Sequence, residues 1–215
     1  MAEVQIVVDW DGTVTEVDGL HLVLREFGDL RIYDAAEERL GRELTLNEVI
    51  ELEFRSVRAP LSEVVGWARE NVRVRDGFAA FARSHRPLIV SSGFHELIEP
   101  VLEREGLELE VVANRLDPRP DGWRALFRTE DSCSVCGEPC KRSDVSGLDR
   151  FVFVGDGVSD RCVSLAADRV FARAGLTVFL AAKGAGFEPF EDFYDVDAAL
   201  GGAVVPPTRS RGRNT

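Results

Sequence analysis

The stretch VVDWDGTVTEVDG closes an apolar run with Asp9 and Asp11, then continues through Gly12 and Thr13. Two carboxylates two positions apart on a continuing strand point to the same side, beyond the strand end. Such a pair can divide labour. One can attack an electrophile while the other moves a proton, and the pair can also face a hard divalent cation that prefers oxygen ligands. Gly12 lets the backbone turn sharply, and Thr13 offers a hydroxyl. The same acidic spacing binds metal in glycosyltransferases and caps helices in many loops, so it gains meaning only from the residues that join it.

Three further stretches supply those residues. In VSSGF, Ser91, Ser92 and Gly93 lead into the helix-like FHELIEPVLEREG. Hydroxyls and free amides at a helix N-terminus suit a phosphate oxygen, although a plain N-cap with a permissive glycine accounts for the same residues. His95, just beyond, reads as a solvent-facing residue of the first turn. VGDGVSD carries Asp156 and Asp160 at another strand end. Carboxylates brought together from two strands repel unless a cation neutralises them, so the two pairs imply a metal. Mg2+ fits best, because it binds through one or two carboxylates, waters and substrate phosphate. A phosphate beside carboxylates also needs opposite charge. Lys141, one of only two lysines among 26 basic residues, is the candidate, at the start of the helix-like KRSDVSGL.

The elements that must position these residues follow from the hydrophobic pattern. The short apolar runs VQIVVDW, PLIVSSG, LEVVANR, RFVFVGDG and DRVFARA alternate with helix-like segments, which is the pattern of a Rossmann-like α/β parallel sheet covered by helices. In such a sheet ligands bind beyond the carboxyl ends of the strands, where these polar residues converge. Between the first two runs, LHLVLREFG, AAEERLG, TLNEVIELEFRSVR and LSEVVGWAREN read as amphipathic helices, with Thr45 and Glu48 as a capping box. Residues 15–72 are therefore expected to form a helical cap over the crevice. The α/β core takes 1–14 and 73–203, with DGFAAFARSH as a core helix. NRLDPRPDGWRALFR predicts a β-hairpin turning at PDG. Residues 204–215, proline-led and basic, predict a disordered tail.

Composition bounds the partners. The chain has 215 residues and a net charge of -12, with 38 acidic against 26 basic residues, which argues against nucleic acid or an anionic membrane. No apolar run approaches a bilayer span, and the first strand starts too early for a signal peptide, so a cytoplasmic monomer or homodimer is expected. Three of the four cysteines, Cys133, Cys136 and Cys140, crowd into CSVCGEPCK. They offer thiolates for a structural Zn2+, but a closed site wants four ligands and no certain fourth is evident. Cys162 recurs with Val158 and Leu165 at helical spacing, which assigns it a buried apolar role.

Taken in order, DWDGT, SSG, a lysine and GDGVSD resemble the four motifs of the haloacid dehalogenase superfamily of phosphatases. The helical insertion lies where the phosphoserine-phosphatase-like branch places its cap. CSVCGEPCKRSDV, VFVGDGVSD with VFAR downstream, and FEDFYDV look like the methionine-salvage phosphatases that act on 2-hydroxy-3-keto-5-methylthiopentenyl-1-phosphate. Phosphoethanolamine/phosphocholine phosphatases are similar around the cysteine-lysine segment. The resemblance implies that Asp9 is the nucleophile forming an aspartyl-phosphate and Asp11 the general acid and then base. It further implies that Thr13 and Ser91 support the phosphoryl group, with Ser92 and Gly93 beside them, and that Lys141 balances its charge. Asp9, the backbone of Asp11, and Asp156 would hold Mg2+, with Asp160 binding directly or through water. Trp10 stands where the family usually has phenylalanine and should only pack. Asp18 stands where phosphoserine phosphatases carry a substrate-reading glutamate, which weighs against phosphoserine. Asp18, Arg55 and Arg58 are the candidates for reading the substrate. The expected activity is hydrolysis of a small phosphorylated metabolite. Two alternatives are a phosphotransferase using the same residues with an alcohol acceptor, and a catalytically silent metal- or partner-binding module.

Overall fold

The computed structural model describes residues 4–202; the expected tail lies outside them. Among the described residues seven strands form one sheet: β1 (Gln5–Val8), β2 (Leu88–Phe94), β3 (Val111–Asp117), β4 (Arg124–Leu126), β5 (Phe151–Gly155), β6 (Arg169–Ala172) and β7 (Glu188–Pro189). Their order is β4-β3-β2-β1-β5-β6-β7, parallel except for β4, which returns antiparallel along β3 as the hairpin around PDG. The chain winds outward from β1 through β2 and β3, then crosses back to place β5 on the other side of β1. A crevice opens at that reversal, beyond the carboxyl ends of β1, β2 and β5.

Strand alternation builds a core on each face. Val8, Ile89, Val152 and Val154 belong to one hydrophobic cluster and Val7, Val90, Phe151 and Phe153 to the other, as a two-residue side-chain period requires when both faces are covered. The first face is packed by α5 (Phe78–His85), α6 (His95–Arg104) and α9 (Phe193–Ala199), which supply Phe78, Leu97 and Phe193. The second receives Val163 from α7 (Arg161–Ser164) and Leu176 and Leu180 from α8 (Ala174–Lys183).

Between β1 and β2 run α1 (Gly19–Phe27), α2 (Leu30–Glu37), α3 (Leu46–Phe54) and α4 (Leu61–Asn71). Thr45 and Glu48 form the reciprocal capping box at the start of α3. The second helix departs from the pattern read in the sequence: it starts at Leu30, because Asp29 caps it by accepting from Arg31 N, and residues 38–44 turn instead of continuing it. KRSDVSGL likewise makes only a short turn at Ser143–Val145 instead of a helix. His95 is not solvent-facing; its ring pairs with Glu99 one turn along, at 2.8 Å, and its side chain is 14% exposed.

The insertion leaves and re-enters the sheet domain through a paired neck. Thr15 and Val74 are antiparallel bridge partners, Glu16 N donates to Arg73 O at 3.0 Å, and Arg75 N donates to Val14 O at 2.8 Å. The hydrophobic cluster of the first sheet face continues through the insertion, taking in Leu24, Ile50, Phe54, Val64 and Ala68. Phe54 sets its ring edge-on to Phe94 at 4.8 Å and stacks on Trp123 at 6.4 Å. Trp123 in turn donates through its indole to Ala59 O at 3.1 Å. No helix among the described residues is long and apolar enough to cross a membrane.

Candidate active site

Asp9 follows β1 directly and stays in its ladder, donating N–H to Val154 O at 2.9 Å. The chain then turns over Trp10–Val14, with Gly12 at φ +77°. Glycine is required there twice over: the backbone is left-handed, and an added Cβ would lie 2.5 Å from Asp156 Oδ2. Trp10 points away into the core, edge-on to Phe78. Thr13, fully buried, donates to Asp156 Oδ1 at 3.0 Å. What pins this turn is not legible in the sequence. The Arg75 guanidinium donates to the carbonyls of Gly12, Thr13 and Thr15 at 2.8–2.9 Å, and Arg173 adds a second bond to Gly12 O at 2.8 Å.

Lys141 is entirely buried and donates to both Asp9 Oδ1 and Asp160 Oδ1. Burial alone would lower its pKa, but the charges of Asp160 and Asp9 outweigh that and raise it. The ammonium is therefore held charged. Asp160 uses both oxygens: Oδ1 accepts from Lys141 at 2.7 Å, and Oδ2 accepts the N–H groups of Asp156 and Gly157 at 2.8 and 3.0 Å. Gly155 leaves room for that carboxylate, since a Cβ there would fall 2.6 Å from Asp160 Oδ2.

Asp11 and the second strand meet on the opposite side. Gly19 N donates to Asp11 Oδ1 at 3.0 Å, and Ser91 Oγ donates to Asp11 Oδ2 at 3.4 Å while accepting from Gly93 N. Gly93 brings the backbone close, because a Cβ would lie 2.7 Å from Asp11 Oδ2. Burial pushes the Asp11 carboxyl up to about 8, with the charge of Asp18 adding to it. Asp9 is raised by burial and then by Asp160, and Asp156 by the same two causes. Carboxylate oxygens of Asp9, Asp156 and Asp160 lie within 4.8 Å of one another. An all-oxygen donor set of that density, balanced by one lysine, suits a small hard cation.

A pocket rises from these residues into the helical insertion. Its floor includes Asp9, Asp11, Ser92 and Gly93, and its walls include Asp18, Glu37 and Glu53, with apolar side chains such as Leu24, Leu46 and Ile50 between them. Asp18 caps α1 through His21 N at 2.9 Å and faces the pocket. Arg55 and Arg58 do not line it: Arg55 turns outward to Glu51 one helical turn back, at 2.9 Å, and Arg58 bonds Ser56 O at the surface. Glu53, also absent from the sequence reading, is 4% exposed, and its Oε1 has no hydrogen-bond partner. Burial, with Glu37 and Asp18 nearby, pushes its carboxyl up to about 8.

A family model described as haloacid dehalogenase-like hydrolase matches residues 6–164. The chain belongs to the haloacid dehalogenase-like hydrolases. A relative from an Exiguobacterium species, a 2-hydroxy-3-keto-5-methylthiopentenyl-1-phosphate phosphatase, is 27% identical over 212 residues, covering 93% of this chain and 98% of its own. The phosphatase of the same name from Bacillus mycoides is 24% identical over 209 residues, covering 92% and 95%. Among solved structures, phosphoserine phosphatase from T. onnurineus superposes with a TM-score of 0.66 at 19% identity, covering 90% of this chain and 92% of its own. A phosphoserine phosphatase in a phospho-aspartyl intermediate analogue form gives 0.63 at 18%, covering 90% and 98%. This member of the haloacid dehalogenase-like hydrolases is an enzyme, a phosphoric monoester hydrolase.

The cysteines correct one sequence expectation. Cys162 is buried on α7, as expected, but belongs to neither hydrophobic cluster. Its sulfur joins those of Cys133, Cys136 and Cys140, all four within 4.8 Å of one another.

Proposed function

We propose that the chain hydrolyses a small phosphomonoester in two displacements at phosphorus, with Asp9 as the nucleophile. The observation that carries this reading is the division between Asp9, tied to Lys141, and Asp11, which is tied to Gly19 N and Ser91 and whose pKa is raised to about 8. Asp9 attacks phosphorus and the ester P–O bond breaks, while Asp11 gives its proton to the departing alkoxide. Water then attacks the aspartyl-phosphate, Asp11 takes the water proton, and Asp9 is released. Lys141 offsets charge on the transferring phosphoryl oxygens; the Ser91 hydroxyl, turned from Asp11, and the Ser92–Gly93 segment of the pocket floor would receive them, while Thr13 supports the phosphoryl group through Asp156, to which its hydroxyl donates. Asp9, Asp156 and the backbone of Asp11 would hold Mg2+, which supplies further charge neutralisation when bound. With both oxygens engaged, Asp160 acts by fixing Lys141 and the Asp156 loop.

The pocket walls bear on the substrate. Among the described residues they carry the acidic Asp18, Glu37 and Glu53 and a single histidine, His21, with no arginine or lysine, so the balance of the wall favours hydroxyl or ammonium donors over a carboxylate, which weighs against phosphoserine. The substrate named for the relatives combines a hydroxyl with an apolar methylthio end, and a wall of acidic acceptors and apolar side chains is compatible with both. It is the first compound to test.

The two aspartates separate experimentally. Asp9→Asn should abolish turnover on every phosphomonoester. Asp11→Asn should lose far more activity on an alkyl phosphate than on p-nitrophenyl phosphate, whose phenolate leaves without a proton. A phosphorylated enzyme should then accumulate, visible by intact mass after rapid quenching. A phosphoryl group mapped to Ser91, or equal losses on both substrates with no covalent species, would overturn the assignment. Transfer to added alcohols in preference to water would instead mark a phosphotransferase.

A further inference from the structure

The geometry points to a structural zinc site on Cys133, Cys136, Cys140 and Cys162 that holds Lys141 in place. The four sulfurs lie within 4.8 Å of one another, and Cys133 Sγ is 3.9 Å from Cys162 Sγ. A tetrahedron with Zn–S bonds of about 2.3 Å has edges of roughly 3.8 Å, so the sulfurs already stand close to ligand spacing. None is in a disulfide. The turn that carries the first pair is shaped for the purpose: Val135 N donates to Cys133 Sγ at 3.4 Å, Gly137 N donates to Cys133 O at 2.8 Å, and Gly137 takes a left-handed φ of +82°. Four thiolates select a borderline-soft divalent ion and disfavour magnesium, which keeps this centre chemically distinct from the aspartate cluster.

The position of the cluster gives it a role. Residues 129–140 contain no helix or strand and place no side chain in either hydrophobic cluster; Val135, their one aliphatic residue larger than proline, is 59% exposed. Apolar burial therefore does not anchor this segment, yet it delivers Lys141, which is entirely buried, directly after Cys140. Cys162 stands two residues after Asp160, the partner of that lysine. A metal ion bridging the loop and α7 would thus tie together the two chain segments that form the Lys141–Asp160 pair. Arg142 braces the same junction by donating to Cys162 O at 3.2 Å. On binding, each thiol releases its proton to solvent and each sulfur donates a lone pair, with no change of oxidation state.

The test uses the full chain, purified without a metal-binding tag and without chelator. Metal analysis should find about one zinc per chain, and cobalt(II) exchanged into the protein should give the sulfur-to-metal charge-transfer and tetrahedral ligand-field bands of a thiolate site. Cys162→Ser should lower zinc retention during dialysis, and should reduce kcat on p-nitrophenyl phosphate at saturating magnesium more than it changes KM. Should that variant fail to fold, thiol reactivity of the unaltered protein decides: the four cysteines should be protected from a disulfide reagent with zinc and exposed after chelation. A folded protein grown in zinc-supplemented medium that holds less than about one-tenth of a zinc per chain overturns the inference. So do thiols that react at the same rate with and without added zinc, or a native mass showing a disulfide instead of the metal.

Discussion

At the scale of single residues, the molecule concentrates buried carboxylates that a neutral-pH protein would ordinarily keep in water. Glu53 offers the clearest measurement, because it lies in the pocket wall, away from the aspartate cluster and facing Glu37, Asp18 and the Tyr33 ring. Its carboxyl is raised from 4.5 to about 8 in the folded chain. Below the ordinary value both states are protonated and no penalty exists. Between there and about 8 the unfolded chain ionises while the folded one keeps its proton, so stability falls as pH rises. Glu53→Gln keeps the shape of the protonated acid. It should therefore leave Tm nearly unchanged near pH 4 and raise it above pH 8, as a thermal-melt series would read. Equal effects at both ends would show that Glu53 is ionised in the fold. The sequence discloses Asp9, Asp11, Asp156 and Asp160 because they cluster just beyond the apolar runs of β1 and β5. It hides Glu53 and Arg75, since a glutamate in an amphipathic helix and an arginine after a helix look like surface charge until packing turns them inward. Cys162 stays hidden for a related reason: proximity to Cys140 is created by the crossing of β5 and α7, not by spacing.

At the scale of elements, the turn after β1 governs the site, since one short segment sets Asp9, Asp11 and Thr13 against the Asp156 loop. Gly12→Ala would force a side chain into a left-handed backbone and against Asp156 Oδ2. The strain alone is worth roughly 1–2 kcal/mol. Urea unfolding should register a loss of that order, and turnover should fall by a larger factor than stability accounts for, because Asp156 must move. A variant with full activity would mean that the turn adapts freely. The strands are legible from the sequence because apolar alternation and turn residues bound them. The edges of α2 are not, because the choice between Asp29 and a later start depends on a side-chain cap that competes with equally helical neighbours. The segment before Lys141 is illegible for the opposite reason, having no periodicity at all.

At the scale of the whole molecule, the helical insertion and the sheet share one hydrophobic core, with Phe54 against Phe94 and Trp123. A cap over the crevice is readable in the length of the insertion, but the depth of this joint is not, since nothing in an amphipathic pattern says which surface it will meet. Replacing residues 16–72 by a short glycine linker should leave the aspartates assembled, yet uncover Phe94, Leu97 and Trp123. The shortened chain should bind a hydrophobic dye and self-associate, as light scattering would detect. With those three positions made polar it should stay dispersed and release phosphate from p-nitrophenyl phosphate without ranking alkyl phosphates as the parent does. A parental ranking would move substrate choice into the sheet domain. The neck at Thr15 and Val74 has a further meaning for descent. Because the two ends of the insertion already meet as bridge partners, a segment of almost any length can be spliced between them with little added closure entropy. One chemical engine can then acquire new clientele by wholesale exchange of the piece above it, while the residues proposed to break the phosphate ester keep their places.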